Sequence, residues 1–162
     1  MGKKAVLKRK KATEVNLDKI RGCMLGGAIG DAPGYPVEFV NESQIFFRYG
    51  VGGIQVYELD PVSGKALISD DTQMSLFTAN GILVADTRAS LRGIGGMPHA
   101  YISMSYQDWL YTQEVIFSQS RKQPWAEGKR GISWIMEVPE LYRRRAPGST
   151  YLSALAGQKR GR

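Results

Sequence analysis

Apolar side chains recur every three or four positions in several stretches, which is the spacing of one face of an α-helix. The clearest stretch follows Ser69 and predicts a long helix. Its inward face is expected to comprise Met74, Phe77, Thr78, Gly81, Ile82 and Val84, widened by Leu76 and Leu83. A second periodic stretch runs from Ala100 to Phe117. Because no pair of strands can be identified, the pattern predicts an all-α fold.

Helix start and stop signals divide the rest of the chain. Asn16 is a good N-cap for a helix that we expect Pro33-Gly34-Tyr35-Pro36 to break. We also predict helices at 41–48, at 132–142 with an interruption at Pro139, and at 149–156 with Ser149 as N-cap. The predicted connections are a turn-containing loop at 54–68, a glycine-rich segment at 88–98 and a polar surface loop at 118–130.

Composition indicates one globular domain, since the chain has 162 residues of which 43% are hydrophobic. The net charge of +7 comes mainly from an N-terminal arm, residues 1–13, that holds six of the 22 lysines and arginines. Without those six, 16 basic side chains face 15 acidic ones. We therefore expect a disordered basic arm at 1–13, a nearly neutral domain at 14–156 and a polar basic tail at 157–162, and we do not expect nucleic acid as a partner.

No apolar run approaches the length of a membrane span, and no apolar segment of the signal-peptide type follows the basic arm. Cys23 is the single cysteine, so the chain cannot form an internal disulfide. We therefore expect a cytoplasmic protein without membrane partners.

Ser69, Asp70 and Asp71 form the most informative cluster. A hydroxyl and paired carboxylates are hard oxygen donors of the kind that Mg²⁺ or Mn²⁺ prefers. The same residues also suit a helix N-terminus, with Ser69 as N-cap and the carboxylates near the positive end of the helix dipole. Spacing alone leaves both interpretations open.

Further motifs lie before and after this cluster along the chain. A glycine-rich segment, 21–34, ends in Asp31-Ala32-Pro33-Gly34, and Pro36-Val37-Glu38-Phe39 follows it. Together with Ile68-Ser69-Asp70-Asp71-Thr72-Gln73-Met74, these segments resemble the ADP-ribosylglycohydrolase family. The resemblance continues through Asp108-Trp109-Leu110-Tyr111-Thr112-Gln113, 133–141, 144–150 and 152–155.

The resemblance implies an orthogonal helical bundle with a pair of divalent cations in a cleft. It also implies a hydrolase that removes ADP-ribose from modified protein side chains. By resemblance, Ser69, Asp70 and Asp71 are metal ligands, Glu38 and Asp71 take part in catalysis, and Asp31 supports the site from behind the ligands.

This chain departs from the family pattern downstream of Met74. The Gly-Asn/Cys-Gly loop and the second acidic cluster of Asp-x-Asp-Thr type are absent, and Asp86 and Asp108 stand alone. We therefore expect a truncated N-terminal portion with at most half a metal site, inactive alone and able to self-associate through uncovered helix faces. The alternative is a non-catalytic module that binds ADP-ribose or a protein.

Two reactive side chains outside these motifs have simpler interpretations. His99 is the only histidine, and we interpret it as a surface residue near a helix start because the family motif uses oxygen ligands. Cys23 lies among small apolar residues, which favours buried packing over a role as nucleophile.

The remaining candidates are aromatic or basic. We expect Trp109 and Trp134 to fill the core, whereas Trp125 in a polar loop can pack or stack on a base. The run 143–145 consists of arginines that can pair with a diphosphate, but a solvated helix end is the preferred interpretation.

Overall fold

The computed structural model describes residues 16–93, 97–120 and 131–158. Within these ranges the chain is built of helices and loops, and its β-structure is limited to one antiparallel bridge between Leu59 and Ala66. The all-α prediction is confirmed. The α-helices of this part are α1 Leu17–Gly34, α2 Glu42–Tyr49, α3 Asp70–Arg92, α4 Pro98–Glu114, α5 Phe117–Ser120 and α6 Ser149–Gly157.

Polar caps start the first three helices. The side chain of Asn16 accepts a hydrogen bond from the backbone of Lys19 at 3.0 Å, as expected for the predicted N-cap of α1. Asn41 and Gln44 bond reciprocally in a capping box that opens α2. Ser69 caps α3. In each case the signal lies within a few residues of the helix start, so local sequence identifies it.

The core lies between α3 and α4. Phe77 on α3 and Trp109 on α4 are fully buried, and the same cluster includes Leu110, Met136, Leu141 and Leu155. The two helices approach closely at Gly81, where an added Cβ would lie 2.8 Å from the Cα of Ile102. A side chain at this position would push α4 away, so the glycine is needed for the packing.

Several predicted boundaries are wrong. The expected helix at 132–142 is instead a pair of short 3-10 helices, Trp134–Glu137 and Pro139–Leu141, because proline lacks the N–H that a continuous helix requires. α3 continues to Arg92 rather than ending before 88, and the left-handed backbone of Gly93 closes it. Gly148, not Ser149, is the N-cap of α6.

α1 also differs from the expectation, since it runs through Pro33 to Gly34 before the 3-10 helix Tyr35–Val37 begins. Part of the predicted connection at 118–130 is helical as well, because α5 extends to residue 120.

Burial was predicted incorrectly at four positions. Cys23, Ile82, Leu83 and Trp134 are exposed instead of packed inside. For Cys23 the reason is that α1 contributes only Ala32 to the buried core. Hypothetical Cβ atoms at Gly22, Gly26, Gly27 and Gly30 would have no neighbour within 4 Å. The glycine face of α1 is therefore uncovered by any described residue.

The predicted basic arm at 1–13, most of the tail at 157–162 and Trp125 lie outside the described residues. Within the part of the chain that the structure describes, no helix combines the length and apolarity needed to cross a membrane.

Candidate functional site

The N-terminus of α3 is held at the surface of the core. Ser69 and Asp70 are buried, whereas Asp71 is exposed. The Ser69 hydroxyl accepts a hydrogen bond from the backbone N–H of Asp71 at 3.1 Å, so Ser69 is an N-cap. A hydroxyl oxygen has two acceptor sites, and capping occupies one of them. The cap and the ligand interpretations of Ser69 are therefore compatible.

Asp31 connects α1 to this helix start. Its Oδ2 accepts hydrogen bonds from the backbone N–H of Ser69 at 2.8 Å and from the Thr72 hydroxyl at 2.5 Å. The carboxylate thus lies directly behind the Ser69–Asp71 segment and ties it to the C-terminal turn of α1. Thr72 belongs to the quoted motif, but nothing in the local spacing revealed that it would bond to Asp31.

Asp70 is the buried carboxylate of the site. Burial raises its pKa above the ordinary value, and the neighbouring charges of Asp71 and Glu38 raise it further. Its own backbone amide and that of Gly148 act in the opposite direction. The structure therefore brings Asp70, Asp71 and Glu38 close enough to interact electrostatically. The most deeply buried of the three is Asp70, which is 4% exposed.

No cation of the described chain neutralises this group. Within residues 16–93, 97–120 and 131–158, the ion pairs are Arg21–Asp18 and Arg48–Glu58, and neither reaches α3. Adjacent carboxylates repel each other, and burial increases the penalty. A bound cation would relieve both effects.

The fit to a divalent cation rests on the chemistry of these donors. Ser69, Asp70 and Asp71 offer hard oxygens, and Mg²⁺ is commonly bound by one or two carboxylates while it keeps several waters. Among the described residues, no group of three or more His, Cys, Asp or Glu side chains is arranged to hold a metal. The donor set therefore suits one cation with an incomplete shell.

The structure contains a cavity of about 390 Å³ whose lining includes neither Glu38 nor any residue of the Ser69–Asp71 segment. It extends between the 3-10 helix at 35–37 and the loop segment 58–61. Its wall includes Ala32, the residue after Asp31, and Ala146. Hydrogen bonds from Ser63 lower the pKa of Asp60 in this wall, and the charge of Arg145 lowers it further.

Glu38 lies at the end of the 3-10 helix that forms one side of this cavity. Glu38 is exposed, and its negative charge raises the pKa of Asp70. The structure thus brings Glu38 toward the Ser69–Asp71 cluster, although the two segments are separated by about thirty positions.

The arginine run at 143–145 does not form the predicted helix end. It belongs to an irregular segment, and its backbone carbonyls accept hydrogen bonds from α3. The carbonyl of Arg145 accepts a hydrogen bond from the backbone N–H of Asp70 at 2.8 Å. His99 is exposed in the first turn of α4, as predicted.

A family model described as ADP-ribosylglycohydrolase matches residues 12–161. Comparisons with curated proteins and with solved structures found no match. Because the family match spans nearly the whole chain, the chain belongs to the ADP-ribosylglycohydrolase family.

Proposed function

We propose that this member of the ADP-ribosylglycohydrolase family holds Mg²⁺ or Mn²⁺ at the N-terminus of α3 and presents it to an ADP-ribosyl group in the adjacent cavity. Ser69, Asp70 and Asp71 provide the ligands. Glu38 and Asp71 are the carboxylates assigned to catalysis, and Asp31 holds the segment in place. The substrate class is a protein side chain that carries ADP-ribose.

The observation that carries this proposal is the burial of the Asp70 carboxylate close to the charges of Asp71 and Glu38, which only backbone amides partly offset. A buried carboxylate with two acidic neighbours and no ion-paired lysine or arginine among the described residues favours a bound cation. A simple helix cap would need only Ser69.

The chemistry follows from the same residues. Cleavage of a ribosyl C1 bond develops positive charge on the sugar and negative charge on the leaving group. A bound divalent cation supplies a positive centre that orients ribose hydroxyls and acidifies water. Glu38, exposed directly after the 3-10 helix that lines the cavity, is the carboxylate proposed to accept or donate a proton in this reaction.

We propose that this chain carries one half of the family's metal site. After Asp71 the only aspartates are Asp86 and Asp108. Asp86 is exposed on α3 and is not paired with a second aspartate as in an Asp-x-Asp-Thr motif. Asp108 accepts hydrogen bonds from the backbone N–H groups of Ile132 and Ser133. Neither can complete a second cluster, so we expect ligand binding without turnover from this chain alone.

A non-catalytic ADP-ribose-binding role is the alternative that this half-site favours. The uncovered face of α1 favours self-association, because exposed apolar residues such as Leu25 and Ile29 flank its glycines. We also propose a cytoplasmic location, for which the amino-acid composition is the only support.

Isothermal titration with ADP-ribose distinguishes these roles. Binding that requires Mg²⁺ and disappears in Asp70→Ala supports the metal-dependent site. Binding that is equally strong in EDTA supports the non-catalytic alternative. A parallel assay for ADP-ribose release from modified arginine and serine peptides, with Mn²⁺ added, measures whether the chain turns over substrate.

A further inference from the structure

An irregular segment, residues 143–148, contacts the N-terminal turn of α3, and we refer to it as the strap. The strap is attached to α3 at two points. The carbonyl of Arg143 accepts a hydrogen bond from Nε2 of Gln73 at 3.0 Å, and the carbonyl of Arg145 accepts one from the backbone N–H of Asp70 at 2.8 Å. These contacts join parts of the chain some 70 residues apart.

The orientation of the Gln73 side chain is determined by α4. Its Oε1 accepts hydrogen bonds from the Trp109 indole N–H at 3.1 Å and from Nε2 of Gln113 at 3.3 Å. An indole nitrogen can only donate, so the oxygen of the Gln73 amide must face Trp109. The amide nitrogen then necessarily faces the strap. Because Gln73 is buried, it has no alternative partner in solvent.

The strap contacts both the backbone and the carboxylate of Asp70. The N–H of a first helical residue normally lacks a partner within the helix, and here the Arg145 carbonyl satisfies it. The backbone amide of Gly148 lies close enough to the Asp70 carboxylate to oppose the effect of burial on its pKa. Between these two contacts, Ala146 adopts a left-handed backbone with φ of 60°, which is unfavourable for alanine. The strap therefore needs external anchors to keep this shape.

We propose that Gln73 is a positioning residue that fixes the strap and, through it, the placement of Asp70 for cation binding. The statement about cation binding rests on the proposed function. The statement about the strap does not, so the two can be tested separately.

The experiment compares Gln73→Met with two controls in the full chain. Gln107→Met makes the same substitution on α4, where Nε2 of Gln107 donates to the carbonyl of Leu155 at 2.9 Å, away from the site. Trp109→Phe removes the indole donor to Gln73 but leaves the bond to the strap. Two quantities are measured: native-state hydrogen exchange at the Asp70 amide, and Mn²⁺ affinity by electron paramagnetic resonance.

We expect Gln73→Met to accelerate exchange at the Asp70 amide and to weaken Mn²⁺ binding by about 10- to 100-fold, the range typical of residues that support metal ligands. Gln107→Met should retain the exchange rate and affinity of the wild-type chain, and Trp109→Phe, which removes only one of the two donors that orient the Gln73 amide, should change both quantities less than Gln73→Met does. Equal changes in Gln73→Met and the controls would overturn the inference, because they would reflect general loosening. Unchanged exchange in Gln73→Met would overturn it as well.

The wild-type chain provides a test that does not depend on the folding of a variant. We expect its Asp70 amide to be protected from exchange, in contrast to an unbonded amide at a helix start. Rapid exchange would contradict the strap contact. If the amide is protected but the wild-type chain does not bind Mn²⁺, the proposed function fails while the role of Gln73 in fixing the strap stands.

Discussion

Asp31 and Ser69 are joined by a hydrogen bond of 2.8 Å from the Ser69 backbone N–H to the Asp31 carboxylate. This bond links the last turns of α1 to the start of α3, and the same carboxylate oxygen also holds Thr72. Asp31 thus supports the Ser69–Asp71 segment by accepting a hydrogen bond from its backbone. The Asp31 carboxylate therefore has a structural role at the start of α3.

Substitution of Asp31 tests this support. Asp31→Ala leaves the N–H of Ser69 and the Thr72 hydroxyl without their acceptor, and both residues are buried. We predict a loss of about 2–4 kcal/mol in the free energy of unfolding, since each unsatisfied buried group costs about 1–3 kcal/mol. Asp31→Asn, which keeps one oxygen, should lose less. Urea denaturation followed by circular dichroism measures both, and a loss no larger than that of exposed Asp18→Ala would contradict the supporting role.

Asp70 should reduce the stability of the metal-free protein at neutral pH. Its raised pKa means that, between about pH 4 and that pKa, the folded state binds more protons than the unfolded state. The free energy of unfolding must therefore fall as the pH rises through this range. We predict that Asp70→Asn removes this contribution and stabilises the metal-free protein at neutral pH by about 0.5–2 kcal/mol.

Denaturation in EDTA at several pH values checks this prediction. Asp86→Asn is the matched control, because Asp86 is an exposed carboxylate on the same helix. It should leave the pH dependence unchanged. If Asp70→Asn destabilises the protein at neutral pH, the carboxylate is already satisfied by the chain itself, and the reason to expect a cation weakens.

The two described tryptophans should respond differently to the same substitution. Trp109 is fully buried and donates to Gln73, so Trp109→Phe loses both volume and a hydrogen bond and should cost about 1–3 kcal/mol. Trp134 is 56% exposed, and Trp134→Phe should change stability by less than about 0.5 kcal/mol. Thermal unfolding distinguishes them, and similar losses would indicate that Trp134 is buried after all.

The uncovered face of α1 should pack against a second chain. Gly26 has open space around it, so Gly26→Leu should improve the helix, by about 0.5–1 kcal/mol, while blocking close approach of another helix. We predict that the wild-type chain self-associates in sedimentation velocity and that Gly26→Leu sediments as a monomer. Leu91→Glu, at an exposed apolar position near the end of α3, should still associate. Association that persists in Gly26→Leu would exclude this face.

Local signals predicted the helix starts well, because an N-cap such as Asn16 or Ser69 bonds within its own first turn. Burial was harder to predict. Cys23 and Trp134 have apolar sequence neighbours, but their exposure depends on which elements pack against them, and no spacing encodes that.

In the candidate site, too, some features could be predicted from the sequence and others could not. The order of the motifs identified Asp31, Glu38 and the Ser69–Asp71 cluster, and the structure brings their segments together. The role of Gln73 could not be predicted, because its strap partner is a backbone carbonyl, and any residue at position 143 supplies one. The arginines at 143–145 favour a helix end on the basis of charge, whereas the structure uses the backbone carbonyls of this segment, which charge does not reveal.

The central claim is that the N-terminus of α3 binds a divalent cation, and a direct Mn²⁺ titration of the purified chain by electron paramagnetic resonance tests it. We predict saturable binding that weakens at least about tenfold in Asp70→Asn and is unaffected in Asp86→Asn. Absence of saturable binding, or equal affinity in the wild-type chain and Asp70→Asn, would contradict the claim.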